Sequence, residues 1–312
     1  MHRTIEVTVS PMAADVLVAE LQQLEHVVGV ARQRGASMMP AGCDVVVVHA
    51  LNRSTDSVMR AVANVVRRHG GPLSVATAEL ASLSDPEHQA AIDHDVDEAL
   101  WEEMETGMRH HGRITANFLT LMGLGGAIAA AGLVAKDPVL QTVATIAAAV
   151  LAPGFEPVAK VPLGLVLRRF EVVMLGLISS LAGYAILAAG AATAFLALWS
   201  FGAVKPDDFF AGSAAEHLAH PPAPDLLISF CGALAGVVIQ SAYRRSVIAG
   251  ALIAMRMIDA AAAVGISVAA GRADFALEAL ERLGLDVAFI LVAGAGVFWV
   301  KQRFVHRRAP LH

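Results

Sequence analysis

Apolar and polar residues alternate over residues 3–9 (RTIEVTV), the period of a strand with one buried face. Pro11 opens a helix over 11–24, with Val16, Leu17, Ala19 and Leu21 on its apolar side. A second strand over 26–32 runs into a turn around Gly35, and the β-branched run DVVVVHAL gives a third at 44–51. Ser54 is placed as N-cap of a helix over 55–69 that Gly70-Gly71 closes, and a fourth strand covers 73–79. The order βαββαβ predicts a ferredoxin-like α+β domain over 1–83, with two helices on one face of an antiparallel sheet.

Residues 84–113 turn polar and acidic, which predicts a solvated helical connector. His88, Asp93, His94, Asp95 and Asp97 could be drawn as a metal cluster, but closely spaced side chains on an exposed connector rarely converge on one point. No metal or other cofactor is expected. Arg109, His110, His111 and Arg113 are placed at the membrane surface. Beyond them the pattern becomes a series of apolar runs near the length of about 20 residues that a spanning helix needs. It predicts an α-helical polytopic membrane domain over 114–300, with spans at 114–135, 139–167, 172–199, 226–241, 246–270 and 287–300. Lys136-Asp137-Pro138 closes a tight hairpin, 202–225 is a loop, 272–286 is a polar helical link inside which the short last span can begin, and 301–312 is a basic tail.

The segment 139–167 is too long for one straight span and is interrupted at Pro153, Gly154, Pro157 and Pro162. Proline removes a backbone donor and clashes with the preceding turn. Lipid leaves no partner for the freed groups, so such a break must face protein or a water-filled cavity.

Composition sharpens this picture in two places. With 56% hydrophobic and 16% charged residues, the chain is too apolar for one ordinary soluble domain. A net charge of -5 and the lack of a basic-aromatic stripe argue against nucleic acid as a partner. Cys43 and Cys231 fall in different domains and suggest no disulfide framework. The opening MHRTIEVTVS lacks the apolar core of a signal peptide, so the first domain is expected to stay inside the cell. Threading six spans puts Arg109, Arg113, Arg168, Arg169, Arg244, Arg245, Lys301, Arg303, Arg307 and Arg308 on one side. Lys136, Lys205, Arg272 and Arg282 fall on the other. The positive-inside rule then gives a multi-pass protein of the inner (plasma) membrane with both termini cytoplasmic. Two three-span halves of opposite orientation result, each with an unusual middle segment, a plan recurrent in transporters.

The run WEEMETGMRHHGRITANFLTLMGLGGAIAAAGLVAKDPVLQTVATIAAAVLAPGFEPVAKVPLGL resembles the prokaryotic "uncharacterised hydrophobic domain" family, domain of unknown function 389. The resemblance rests on Trp101-Glu102-Glu103, the small-residue first span, Asp137-Pro138, the AlaPro-x-x-x-Pro core at 152–157 and the later GALIAMRMIDAAAAVGISVAAG. It covers most of 100–300 and implies a multi-spanning membrane protein, without an activity to carry over. The chain departs from the family pattern at Glu156, Lys160, Arg256 and Asp259.

These four charges are the candidate site. An ionisable residue within a span is costly unless paired or hydrated, and marks a function by default. Glu156 and Lys160 share a helix face, as do Arg256 and Asp259, and the two acids and two bases could close a neutral quartet across the two halves. The quartet is expected either to bind an ion or small solute or to clasp the halves together. Glu156, next to Pro157, could also be an N-cap. No H-E-x-x-H, G-x-S-x-G or phosphate loop is present, so no enzymatic activity is expected. The function expected is a transporter or channel for an ion or small solute. The alternative is a membrane-anchored sensor or scaffold whose cytoplasmic domain binds a ligand or drives assembly. Expected partners are the lipid bilayer, the ion or solute, and further copies of the chain.

Overall fold

The computed structural model describes residues 2–80, 82–95, 101–110, 113–242, 251, 253 and 255–305. The chain divides into two units, Met1–Glu103 with Val300–His312, and Met104–Trp299.

In the first unit, β1 (Arg3–Val9), α1 (Pro11–Leu21), β2 (Val27–Met38), β3 (Ala41–Ala50), α2 (Thr55–His69) and β4 (Ser74–Glu79) follow in the expected order. The sheet is antiparallel with strand order β2-β3-β1-β4. Ile5, Val7 and Val9 alternate inward along β1 and join Val46, Val48, Leu17, Leu21, Val58, Val62 and Val65 in one apolar core. That core is what the period-two and helical patterns were built to fill.

Two local expectations are corrected. The chain does not turn at Gly35. Gly35 takes a left-handed φ of 59° and its N–H bonds Asp44 Oδ1 at 2.7 Å, so β2 bulges and runs on to Met38. Ser54 is the N-cap of α2, but its side chain does not cap the helix. Its hydroxyl donates to the carbonyls of Leu51 at 2.9 Å and His26 at 3.1 Å. Gly70 does close α2, with φ 63° and its N–H on the Val66 carbonyl.

The connector forms α3 (Gln89–Asp93) and α4 (Trp101–His110). Its acids and histidines serve local structure. Asp95 accepts from the Asn52 amide at 2.6 Å, His88 meets Asp85 at 2.9 Å and the His94 ring meets the Ala90 carbonyl. Among the described residues no cluster could hold a metal ion. Asp97, His111, the Arg244-Arg245 pair, Arg307 and Arg308 lie outside the described residues, as do the side chains of Glu102, Arg109 and His110.

The second unit is helical: α5 (Ala116–Leu133), α6 (Pro138–Leu151), α7 (Phe155–Val166), α8 (Phe170–Ser200), α9 (Pro206–Phe210), α10 (Ser213–Ala219), α11 (Ala223–Ser241), α12 (Met257–Ala269) and α13 (Ala273–Val300). Among the described residues four helices are long and apolar enough to cross a membrane, or five if α6 and α7 count as one bent span. α12, at 13 residues, is shorter than a span. The last long helix begins at Ala273, so the span at 287–300 does continue from the helical link 272–286, which contains no helix breaker strong enough to separate them. Arg282 and Asp286, expected in a polar link, are therefore buried inside α13.

Glycine sets the spacing of α5, α8 and α12. A Cβ on Gly126 would fall 2.0 Å from the Leu187 carbonyl oxygen, and one on Gly265 2.0 Å from that of Ala188. Here backbones touch directly, as small-residue contacts allow. At one end of the helices, Lys136 meets Asp208 at 3.5 Å, the Phe210 and Phe275 rings lie 4.8 Å apart and tilted to one another, and Arg272 lies over both rings.

Candidate site at two broken helices

α6 ends at Leu151 and α7 starts at Phe155, bent by 46° to it. The break is made by Pro153 and Gly154, with Gly154 as the N-cap of α7. Pro157 and Pro162, expected to share in the break, lie within α7 instead. Pro157 falls in the first turn, where its missing N–H has no helical partner to lose. Pro162 sits inside the helix, against Gly294 of α13, where a Cβ would come 2.5 Å from its ring. Glu156 stands in the first turn of α7, beyond the N-cap position.

The second interruption is at Arg256. This residue takes the left-handed conformation, φ 53° and ψ 16°, and α12 begins at Met257. For a residue with a Cβ that conformation costs about 1–2 kcal/mol and needs support from its surroundings. Asp259 is in the first turn of α12.

The two interruptions meet at Tyr184. Its hydroxyl donates to the Gly154 carbonyl at 3.1 Å and lies 3.8 Å from Met257 Sδ. Gly154 leaves room for this contact, since a Cβ there would be 2.8 Å from the hydroxyl and 3.2 Å from Ile258 Cδ1. Tyr184 is near the centre of α8, about 21 Å from Phe170 and about 24 Å from Ser200 at the helical rise.

The four predicted charges fall into two pairs. Lys160, fully buried, is in Coulombic reach of Glu156 one turn earlier. Asp259, 4% exposed, is in Coulombic reach of Arg256 and within hydrogen-bonding reach of Thr145. Arg256 also approaches Asp225 of α11 at 3.9 Å, a partner that the sequence reading assigned to a loop. A third charged group was missed altogether. Arg282 donates to the Ser229 hydroxyl at 2.5 Å and meets Asp286 at 3.4 Å, with the two charged side chains 2% and 0% exposed. The i,i+4 spacing of Arg282 and Asp286 was the available signal.

A family model described as a domain of unknown function, DUF389, matches residues 149–292. Over this stretch the chain is similar to that family. The DUF389 segment starts in the last turn of α6 and ends within α13, so it contains both interruptions, Tyr184 and every charged group just described. No curated protein matches the chain, and no solved structure does.

The ends of α7 and α12 share one geometry. After α7, the N–H groups of Leu167, Arg168 and Arg169 bond the carbonyls of Leu163, Leu165 and Gly164. After α12, those of Ala270, Gly271 and Arg272 bond Ile266, Val268 and Ser267 in the same pattern. The second residue after each helix is left-handed, Arg168 at 55° and Gly271 at 74°, as a Schellman-type cap requires. In both cases an arginine follows and a long helix begins at the next residue.

Proposed function

We propose that this chain is a transporter or channel for an ion or small solute, with its site where the two interrupted helices meet. The observation that carries the reading is the junction at Tyr184, one side chain touching both breaks in the middle of a 31-residue apolar helix. Irregular backbone at such depth is tolerated where it is buried in protein or lines a cavity. Ionisable side chains beside it are costly to keep and mark ion or substrate paths.

On this reading α5, α6–α7 and α8 form one three-span half, and α11, the segment ending in α12, and α13 form the other, inverted with respect to the first. The matching caps after α7 and α12 support the pairing, as do the lengths of α5 and α11, 18 and 19 residues. The segment ending in α12 would supply the sixth span. The end that holds Lys136, Asp208, Arg272 and Phe275 would face outward, leaving both termini in the cytoplasm. The strand order β2-β3-β1-β4 supports reading the N-terminal unit as a ferredoxin-like cytoplasmic domain.

The test is a flux assay in proteoliposomes across sodium, potassium, proton, chloride and small-solute gradients, with Glu156→Gln as control. Flux of one species that Glu156→Gln abolishes is the expected result. No flux in the whole panel from folded, inserted protein would overturn the proposal in favour of a membrane-anchored sensor or scaffold.

A further inference from the structure

Beside Asp259 lies a cavity of about 330 Å³, at the lower end of the size range of small-molecule sites. α6 contributes Gln141, Thr142 and Thr145, α10 contributes His217, and Arg256 and Asp259 come from the second interruption. Its apolar wall includes Leu133, Ile146 and Ile253.

The charged groups make this a built site. Asp259 is 4% exposed, and among the described residues its Oδ1 has no hydrogen-bond partner. A buried acceptor left in this state costs about 1–3 kcal/mol, which a ligand donor would recover. Arg256 lines the same cavity, and its one ion pair among the described residues is the long 3.9 Å contact with Asp225. A simple anion entering here would meet Asp259, and a simple cation would meet Arg256. A molecule carrying both signs satisfies both groups, and the Gln141 amide of α6 remains for its other polar atoms. The aliphatic wall then receives its apolar part.

The geometry points to a binding site for a small zwitterion, of the class of an α-amino acid with an aliphatic side chain. Its carboxylate lies on Arg256 and its ammonium on Asp259. The role of this ligand as the transported solute rests on the function proposed above, whereas its binding does not.

The test uses the full-length protein purified in detergent, with L-leucine as probe, equilibrium dialysis to measure binding and a thermal melt to report stabilisation. Two analogues share its carbon skeleton, 4-methylpentanoate without the amine and 3-methylbutylamine without the carboxylate. L-leucine is expected to bind and raise the melting temperature, with each analogue weaker by about tenfold or more, at least 1.4 kcal/mol. Asp259→Asn and Arg256→Gln are each expected to weaken L-leucine by a similar factor. If Asp259→Asn does not fold, Arg256→Gln carries the test, because that side chain is 39% exposed. The inference is overturned if L-leucine shows no binding at about 10 mM, a weak affinity of under 3 kcal/mol. It is also overturned if either analogue binds as well, or if Arg256→Gln binds normally. Binding without flux would leave this site standing and remove the transport reading. Ion flux without L-leucine binding would do the reverse.

Discussion

Glu156 and Asp259 hold the same place in two different helices. Each is in the first turn after an interruption, and each lies twelve residues before the left-handed residue that ends its helix, 156 before Arg168 and 259 before Gly271. The acids differ in their neighbours. Glu156 has Lys160 one turn along its own helix, whereas Asp259 has Arg256 three residues before it and Thr145 of α6 within hydrogen-bonding reach.

If the two acids are counterparts in one site, neutralising either should have the same kind of effect. Glu156→Gln and Asp259→Asn are each expected to cut transport in proteoliposomes by about tenfold or more, with insertion and the melting profile retained. Loss of activity that tracks loss of folded protein in both variants would show that the charges only hold the helices together.

The glycine contacts make a paired prediction on stability. Gly126→Ala and Gly265→Ala drive a methyl group into a backbone oxygen, so each should destabilise the protein by about 1–3 kcal/mol or prevent folding. Gly284→Ala meets nothing within 4 Å and should stabilise α13 by up to about 1 kcal/mol. Thermal melts of the three purified variants, compared side by side, check the ordering.

Arg282 and Asp286 should be unequal to the sum of their parts. Arg282→Met strands a fully buried carboxylate and is expected to cost about 3–5 kcal/mol. The double variant Arg282→Met/Asp286→Leu should recover much of that loss, measured as melting temperature in detergent. A double variant no better than the single one would mean that the arginine matters through Ser229 rather than through its acid.

In the N-terminal domain, Asp44 gives a pH signature. Its carboxylate is held below the usual range, first by the Gly35 amide and also by Arg32, against the opposing effect of burial. A depressed pKa contributes stability that is fully present above the unfolded value of about 3.9 and is lost as the pH falls through the folded value. Asp44→Asn should therefore lower the melting temperature of an isolated 1–83 fragment at pH 7. The gap to the unaltered fragment should close in strong acid. A fragment with no cooperative melt would place the domain boundary elsewhere.

Orientation is checked at α10. A Glu216→Cys variant, with Cys43 and Cys231 replaced, should react with a membrane-impermeant maleimide in intact cells, since Glu216 is exposed. Reaction only after permeabilisation would invert the topology.

Much of this architecture was legible in the sequence for simple reasons. The first domain's βαββαβ order follows from strong alternation and glycine stops, and the break at Pro153-Gly154 follows from what proline does to a helix. Pro157 and Pro162 misled because the damage a proline does depends on its distance from the helix start and on its neighbour, here Gly294. Arg282 and Asp286 read as a polar link because hydropathy does not record that Ser229 stands opposite. Tyr184 gave no signal at all. An isolated tyrosine in an apolar run looks like filler until the chain brings Gly154 and Met257 to its hydroxyl.

The glycine contacts also bear on motion. Where Gly126 and Gly265 press on the carbonyls of Leu187 and Ala188, no side chain stands between the helices to change rotamer. α5, α8 and α12 must then travel as one block or stay still. α6 is tied to the same block, since a Cβ on Gly132 would be 2.6 Å from the Ala144 methyl carbon. The cavity beside Asp259 is therefore walled by a fixed frame of α5, α6 and α12, which α10 meets through Ala214, His217 and Leu218.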